Sequence, residues 1–319
     1  MILSETGKIG PDLYMLGYAS VPVYLLDGDA PAVFDAGFCY LGKCYADAIG
    51  HVLGGRQPAY CFLSHSHFDH CGAVAVLKRR FPQMKVVASP RAAATLQRPN
   101  ALALIDRLSR GSLDMIRRNA MDFQAQDHFR PFTVDIEARD GDCFRVSDRA
   151  TVQVIDTPGH TRDCISFYIP QARVLICSEA AGIADPTGYI VSDCLVDYDM
   201  YRTSMEKLAG LQAKVVCLGH RYAFTGEDAE RYLSRAMAFC RDFRDRVVRC
   251  WQEEQGDTAR VLARLKSFEY DGKPEPKQPE AAYVINLEAR VRAVLRHLQK
   301  GDPAGKETDA GRLPAGPQP

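Results

Sequence analysis

Over its first two thirds the chain alternates short apolar runs with loops of glycine, proline and polar residues, and then turns to long charged segments with helical spacing. Val21-Pro22-Val23-Tyr24-Leu25-Leu26 and Ala32-Val33-Phe34 flank Asp27-Gly28-Asp29, a pattern that predicts two strands joined by a hairpin turn. Apolar positions over 42–54 recur at helical spacing and stop at Gly54-Gly55. A strand over 59–63, a histidine-rich loop, a helix over 71–81 and a strand at Lys85-Val86-Val87-Ala88 then make a βαβ unit. Residues 90–121 carry no strand pattern, and Leu102, Ile105, Leu108, Leu113 and Ile116 predict inserted helices.

Strands resume with Phe132-Thr133-Val134, Cys143-Phe144-Arg145-Val146, Thr151-Val152-Gln153-Val154-Ile155, Cys164-Ile165-Ser166-Phe167-Tyr168 and Val174-Leu175-Ile176-Cys177. A helix at about 198–210 precedes a strand over 214–218. From about 226, helical stretches cover 227–254, 257–268 and 281–299. Residues 301–319 have few large apolar side chains and predict a disordered tail. The expected organisation is a strand-rich part over 1–226 with a helical insertion at about 90–121, a helical region over 227–300, and the tail.

Bulk numbers narrow the function classes. The 319 residues allow one large domain or two. Lys+Arg and Asp+Glu balance at 40 each, which gives no support for a nucleic-acid surface. No apolar run approaches the roughly 20 residues of a membrane span. The N-terminal residues lack the basic and apolar regions of a signal peptide, and the 11 cysteines are scattered singly without a CxxC pair. Both features predict a reduced, cytoplasmic protein.

The chemistry concentrates in His65-Ser66-His67-Phe68-Asp69-His70, directly after the apolar run Tyr60-Cys61-Phe62-Leu63. Imidazole nitrogen and carboxylate oxygen are ligands of divalent transition metals. Three later segments also end predicted strands: Thr157-Pro158-Gly159-His160, Ser178-Glu179 and Leu218-Gly219-His220. Loops at strand ends let a rigid sheet aim side chains at one point. A Gly-His pair alone is usually just a turn; beside the first motif, His160 and His220 become candidate ligands. Glu179 also reads as a capping or salt-bridging group, with Asp185 or Asp193 as other sources of the oxygen. His51, His128 and His297 lack such a context and are expected on the surface or on helices.

In order, HxHxDH, then His, then an acid, then His, the chain resembles the metallo-β-lactamase-fold hydrolases. The resemblance implies an α+β fold, an αββα sandwich, holding two divalent transition metal ions (Zn or Fe) and no organic cofactor. It implies His65, His67 and His160 as ligands of one ion. Asp69, His70 and His220 would bind the other, with Glu179 bridging and Asp35 bracing from behind. The family's bridging acid is usually aspartate, so glutamate here is a departure, and the extra methylene bears on metal spacing and identity. Two metals about 3.5–4 Å apart can activate a hydroxide and polarise the carbonyl or phosphoryl oxygen it attacks. Asp69 is expected to double as the proton acceptor.

A thioester suits this chemistry, because a thiolate of conjugate pKa about 8.5 departs without a strong acid. The chain further resembles the alkylquinolone-pathway thioesterases that cleave 2-aminobenzoylacetyl-CoA (the PqsE type). The resembling pieces are residues 21–26, 64–72, 154–160, 166–168 and 175–182, together with the helical insertion and the helical C-terminal region. The expected substrate is a small-molecule β-keto or aromatic acyl-CoA thioester. A lactonase or glyoxalase-II-like hydrolase stays open, as does a regulatory protein acting on a protein partner. Tyr283, Val284 and Ile285 are expected to line a narrow, mostly apolar tunnel where the last helix crosses the rim. The apolar stripe of the C-terminal helices would otherwise pack on the core or form a homodimer surface.

Overall fold

Two seven-stranded sheets lie face to face in the computed structural model, which describes residues 1–119, 124, 126–275 and 277–301. In spatial order the first contains Gly7–Lys8, Leu13–Tyr18, Val21–Leu26, Ala32–Phe34, Tyr60–Phe62, Lys85–Ala88 and Ile136–Glu137. Its first four strands pair antiparallel, and the last three join in parallel. The second contains Ile2–Leu3, Ala223–Thr225, Val215–Cys217, Val174–Ile176, Ile165–Ile169, Ala150–Asp156 and Cys143–Ser147. Only Val174–Ile176 and Val215–Cys217 pair in parallel there.

Alternation along each strand sends every second residue between the sheets. Met15, Tyr24, Phe34 and Phe62 from one sheet meet Val152, Val154, Phe167 and Ile176 from the other. The ring of Phe62 lies 5.3 Å from Phe34, 5.2 Å from Phe167 and 5.0 Å from Phe144, an aromatic knot that fixes the facing of the sheets. The outer face of the first sheet carries helices Gly42–Leu53 and Val74–Arg80, through Tyr45, Ile49, Val74 and Leu77. The outer face of the second carries Tyr198–Gly210 and the C-terminal helices. The fold is therefore the α+β, αββα sandwich.

Local signals explain most element ends. Helix Gly42–Leu53 stops at Gly54, whose φ of 58° makes the left-handed cap that the Gly-Gly pair allows. Asp197 caps Tyr198–Gly210 by accepting from the Met200 N–H. The insertion forms helices Pro90–Thr95, Pro99–Gly111 and Leu113–Asn119; residues 120–121 lie outside the described residues.

One strand moves. Phe132-Thr133-Val134 form no strand, and Ile136–Glu137 pair with Val87 and Ala88 instead. Asp135 sets this register: its side chain accepts from the Val86 N–H at 2.8 Å and from Lys78 at 2.9 Å, so the ladder begins after it. Phe132 and Val134 pack against the helix-covered core. The short hairpin of Ile183–Ala184 and Ile190–Val191 has no counterpart in the sequence pattern, since two-residue strands leave no readable alternation.

The C-terminal helices are Glu227–Glu253, Thr258–Lys266 and Glu280–Gly301. A π-helical turn, Ser267–Asp271, follows the second. Leu233, Phe243, Val247, Val261, Leu265 and Val291 are buried in one cluster with Leu175, Val216 and Phe224 of the second sheet. The stripe thus packs on the sheet and forms a continuous core with it. The expected tail lies, from residue 302, outside the described residues. Among the described residues no helix is long and apolar enough to cross a membrane.

Candidate metal centre

Both sheets end their strands at one place. His65 follows Tyr60–Phe62, and the chain then turns through His67 into the short helix Phe68–Cys71, which carries Asp69 and His70. His160 follows Ala150–Asp156, Glu179 sits in the 3-10 turn Ser178–Ala181 after Val174–Ile176, and His220 follows Val215–Cys217. These seven side chains form three overlapping groups, His65/His67/His160, His65/His70/Glu179 and Asp69/His70/His220, with ligand atoms within 4.8 Å in each. Glu179 Oε1 is 2.7 Å from both His70 Nε2 and His220 Nε2, and its Oε2 is 3.8 Å from His65 Nε2. Asp69 Oδ2 is 3.7 Å from His220 Nε2 and 3.8 Å from His70 Nε2. His160 Nε2 lies 3.1 Å from His67 Nδ1.

The imidazoles are held from behind. His70 Nδ1–H donates to Asp35 Oδ2 at 2.9 Å, and the Ser64 hydroxyl and N–H donate to the same carboxylate at 2.9 and 2.8 Å. With its proton spent on Asp35, Ser64 Oγ accepts from His65 Nδ1–H at 2.9 Å. His160 Nδ1–H donates to the Asp193 carboxylate and carbonyl at 3.1 and 3.0 Å. His220 Nδ1–H donates to the Ser20 carbonyl at 3.3 Å. In its neutral form each of these four rings therefore turns an Nε2 lone pair toward the centre.

Those lone pairs test the fit of a metal. The Nε2 atoms of His65 and His70 are buried without a hydrogen-bond partner, because Glu179 approaches His70 off the bonding direction. Buried acceptors are normally satisfied, and a cation held at this point would satisfy both. Five imidazoles with two carboxylates make an N/O donor set that suits zinc or iron.

The ionisation of the metal-free cluster reflects the crowding. Burial holds His65 well below the usual histidine range, and burial with the neighbouring His160 lowers His67 to about 4. Burial opposes the charge on His160, but the hydrogen bond and charge of Asp193 outweigh it and raise that ring to about 9. Glu179 is buried too, yet His70, His65 and His220 hold it well below the carboxylate range.

Backbone conformation is spent at the same loops. Asp35, Ser178 and Arg221 have φ of 58°, 47° and 62°, a region non-glycine residues adopt at a cost of about 1–3 kcal/mol each. Gly159 has φ 139° and sits against Tyr201, where a Cβ would come within 2.3 Å of the Tyr201 Cα. Gly219 serves space instead of turn freedom: a Cβ there would lie 2.7 Å from Ser178 Oγ, 2.8 Å from His70 Cε1 and 2.9 Å from Glu179 Oε1.

The other candidate acids lie elsewhere. Asp185 accepts from the Thr187 and Tyr189 N–H groups and pairs with Lys273 at 3.0 Å. Asp193 faces the back of His160, a role its position after a two-residue strand does not announce.

The cluster opens into a cleft of about 3230 Å³, broader than the expected tunnel. Helix Pro99–Gly111 forms one wall, and Trp251, Tyr283, Ile285, Leu295 and Leu298 belong to the wall made by C-terminal helices. Tyr283 is buried there and donates to Glu269 at 3.0 Å, while Ile285 is 64% exposed. Val284 does not reach the cleft; it packs against the core of the second sheet. Consecutive helical residues face different sides, so one neighbour of a lining residue must turn away.

The chain belongs to the metallo-beta-lactamase superfamily, whose model matches residues 16–220, more than half of the sequence. It is similar to an archaeal metallo-beta-lactamase superfamily protein from Sulfolobus tokodaii, at 17% identity and TM-score 0.58, over 90% of this chain and 100% of that one. It is similar to a metallo-beta-lactamase family protein from Thermus thermophilus, at 19% identity and TM-score 0.60, over 92% of this chain and 95% of that one. The stereoselective inverting sec-alkylsulfatase Pisa1 from Pseudomonas sp. matches at 17% identity and TM-score 0.62, over 96% of this chain and 52% of that enzyme. At these identities the structures establish the fold. Superfamily membership and the histidine cluster together give the coarse reading, a metal-dependent hydrolase.

Proposed function

We propose that the chain is a thioesterase that hydrolyses a β-keto or aromatic acyl-CoA thioester. In this reading His65, His67, His160, Asp69, His70, His220 and Glu179 hold two divalent transition metal ions. Bound there, the ions supply Lewis acidity toward the thioester carbonyl and a water of lowered pKa.

The observation that carries the choice of thioester is the distribution of acid and base. Among the described residues, the carboxylates around the cluster are committed: Asp35 to His70, Asp193 to His160, Asp163 to the Ser66 N–H and Glu179 to the Ser178 hydroxyl. Asp69 alone makes no hydrogen bond, and it faces the cleft. With one Asp69 oxygen, Oδ2, turned toward His220 and His70, the site offers a base at the other oxygen of that carboxylate and no uncommitted acid among the described residues. A leaving group that departs as an anion suits such a site, and a thiolate with a conjugate pKa of about 8.5 is one. Alkoxide and amine leaving groups need a proton.

The chain's own residues divide the remaining work. Asp69 takes the proton of the attacking water. Asp35, Asp193 and Ser20 orient imidazoles, and Ser178 orients Glu179 through a 2.5 Å hydrogen bond. The likeness of residues 21–26, 64–72, 154–160, 166–168 and 175–182 to 2-aminobenzoylacetyl-CoA thioesterases supports the same substrate class. The test is a panel of acyl-CoA, lactone and phosphodiester substrates on the metal-loaded protein. The highest kcat/KM is expected on an aromatic or β-keto acyl-CoA. Turnover of a lactone or phosphodiester without thioester turnover would overturn the proposal.

A further inference from the structure

The cations of the cleft are unevenly engaged. On the side of the C-terminal helices each has a partner: Lys273 pairs with Asp185, Lys277 donates to the Tyr270 carbonyl, Arg292 pairs with Glu288, and Arg296 donates to the Val196 carbonyl. On the opposite wall and along the site loops the pattern reverses. Arg91, Arg98, Arg107, Arg139, Arg162 and Arg221 all line the cleft, and none makes a side-chain hydrogen bond or ion pair with a described residue. The acids on that side do not take them up. Asp140 holds Lys207 at 2.6 Å, and Asp163 accepts from the Ser66 N–H at 3.0 Å. Asp156 lies near Arg91 and Arg139 but makes no ion pair with either. Since the whole chain balances 40 cations against 40 anions, six unengaged guanidinium groups in one cleft are a local segregation of charge.

Their placement describes an elongated anion. Arg162 lies two residues after His160, and Arg221 directly follows His220, so this end of the row adjoins the metal centre. Arg98 immediately precedes helix Pro99–Gly111 without a side-chain capping bond, and Arg107 lies nine residues on, about 13 Å along the helix axis and half a turn around it, so the two flank the strip of the helix that borders the cleft. A single small anion cannot meet both, whereas a chain with separated phosphates can. Guanidinium forks bind phosphate oxygens in pairs, which is why arginine suits such a ligand better than lysine.

We propose that this wall is a subsite for the phosphorylated nucleotide handle of a coenzyme A thioester, with Arg98 and Arg107 on its phosphates and Arg162 nearer the reacting end. The inference rests on the thioesterase reading and extends it to how the substrate is held. The handle lies along helix Pro99–Gly111, and its acyl thioester reaches the histidine cluster.

The full-length, metal-loaded protein tests it with two probes. Benzoyl-CoA is compared with S-benzoyl-N-acetylcysteamine, which carries the same thioester without the nucleotide. In the Arg98→Gln/Arg107→Gln variant the ratio of the two kcat/KM values should fall roughly 100-fold, about tenfold per lost charge-assisted contact, and the change should reside in KM. Calorimetry with adenosine 3′,5′-bisphosphate needs no turnover. The wild type should bind it, more weakly as salt rises, and the variant at least tenfold less tightly. Circular dichroism and metal content confirm that the variant is folded. An unchanged kcat/KM ratio, or bisphosphate binding equal in both proteins, would overturn the subsite. So would tighter binding of a single-stranded RNA oligomer than of the bisphosphate, since the row would then be a nucleic-acid track. If no thioester is turned over while bisphosphate binding still depends on the two arginines, the subsite stands and the thioesterase reading falls.

Discussion

Glu179 sits where His65, His70 and His220 converge, and its charge decides what that point can hold. Glu179→Gln keeps the shape and removes the charge, so metal affinity should fall at least tenfold. Elemental analysis after dialysis checks this; full metal retention would assign the bridging role to another group. Gly219→Ala probes the same spot through space alone. Its Cβ would press on Ser178 Oγ, His70 Cε1 and Glu179 Oε1, so the variant should stay folded and lose roughly 100-fold in kcat, as displacements near 1 Å do. Activity within threefold of wild type would mean that the carboxylate can move without harm. The convergence of His65, His67, Asp69, His70, His160, Glu179 and His220 was legible, because strand-end spacing places them. Their supports were legible only in part. Asp35 could be named from resemblance, but Ser64 and Ser178 had no signal, and Asp193 reaches His160 across 33 residues of chain.

At the scale of elements, periodicity located helices and sheet strands well where runs were long. It failed where tertiary contacts overrode pattern, as at Asp135, whose side-chain contacts hold the strand start at residue 136. Period alone also could not choose which side of the last helix meets the cleft. Tyr283 and Ile285 line it and Val284 does not. What ties that helix down is polar: Arg290 on Glu280–Gly301 donates to Glu269 of the π-helical turn at 2.7 Å, with both side chains buried. Tyr189 and Tyr283 also donate to Glu269, at 2.7 and 3.0 Å. Arg290→Met leaves a buried carboxylate without its cation, so it should cost roughly 3–5 kcal/mol of stability. Adding Glu269→Gln should recover much of that loss. Chemical denaturation of the two variants decides it, and equal destabilisation by both would show that the arginine acts through packing and not through charge.

For the whole molecule, the C-terminal helices share a core with the second sheet, so removing them would strip that sheet's outer face and would not isolate a lid. The sequence could show that an apolar stripe existed but not which surface it met. The global consequence of the buried cluster is a pH dependence, clearest in metal-stripped protein. His65 and His67 have folded-state values below the ordinary 6.5, His67 at about 4. Between about 4 and 6.5 the unfolded chain therefore binds protons that the folded chain refuses, and stability falls as pH drops. Glu179, held well below its ordinary value, adds to the loss as pH falls below the normal carboxylate range. His160 is raised to about 9, and His70 and His220 are raised as well, because the surrounding carboxylates outweigh burial. In that upper window the folded chain holds protons that the unfolded chain has released, so stability falls as pH rises. The two slopes place maximum stability of the stripped protein near pH 6.5, with the melting temperature lower by roughly 5 °C or more at pH 4.5 and at pH 9. Metal loading should remove the alkaline limb, since the ring nitrogens that would bind those protons are then ligands. Thermal melts of stripped and loaded protein across this range make the comparison, and a stripped protein whose stability rises steadily from pH 4.5 to 9 would show that the histidines do not control it.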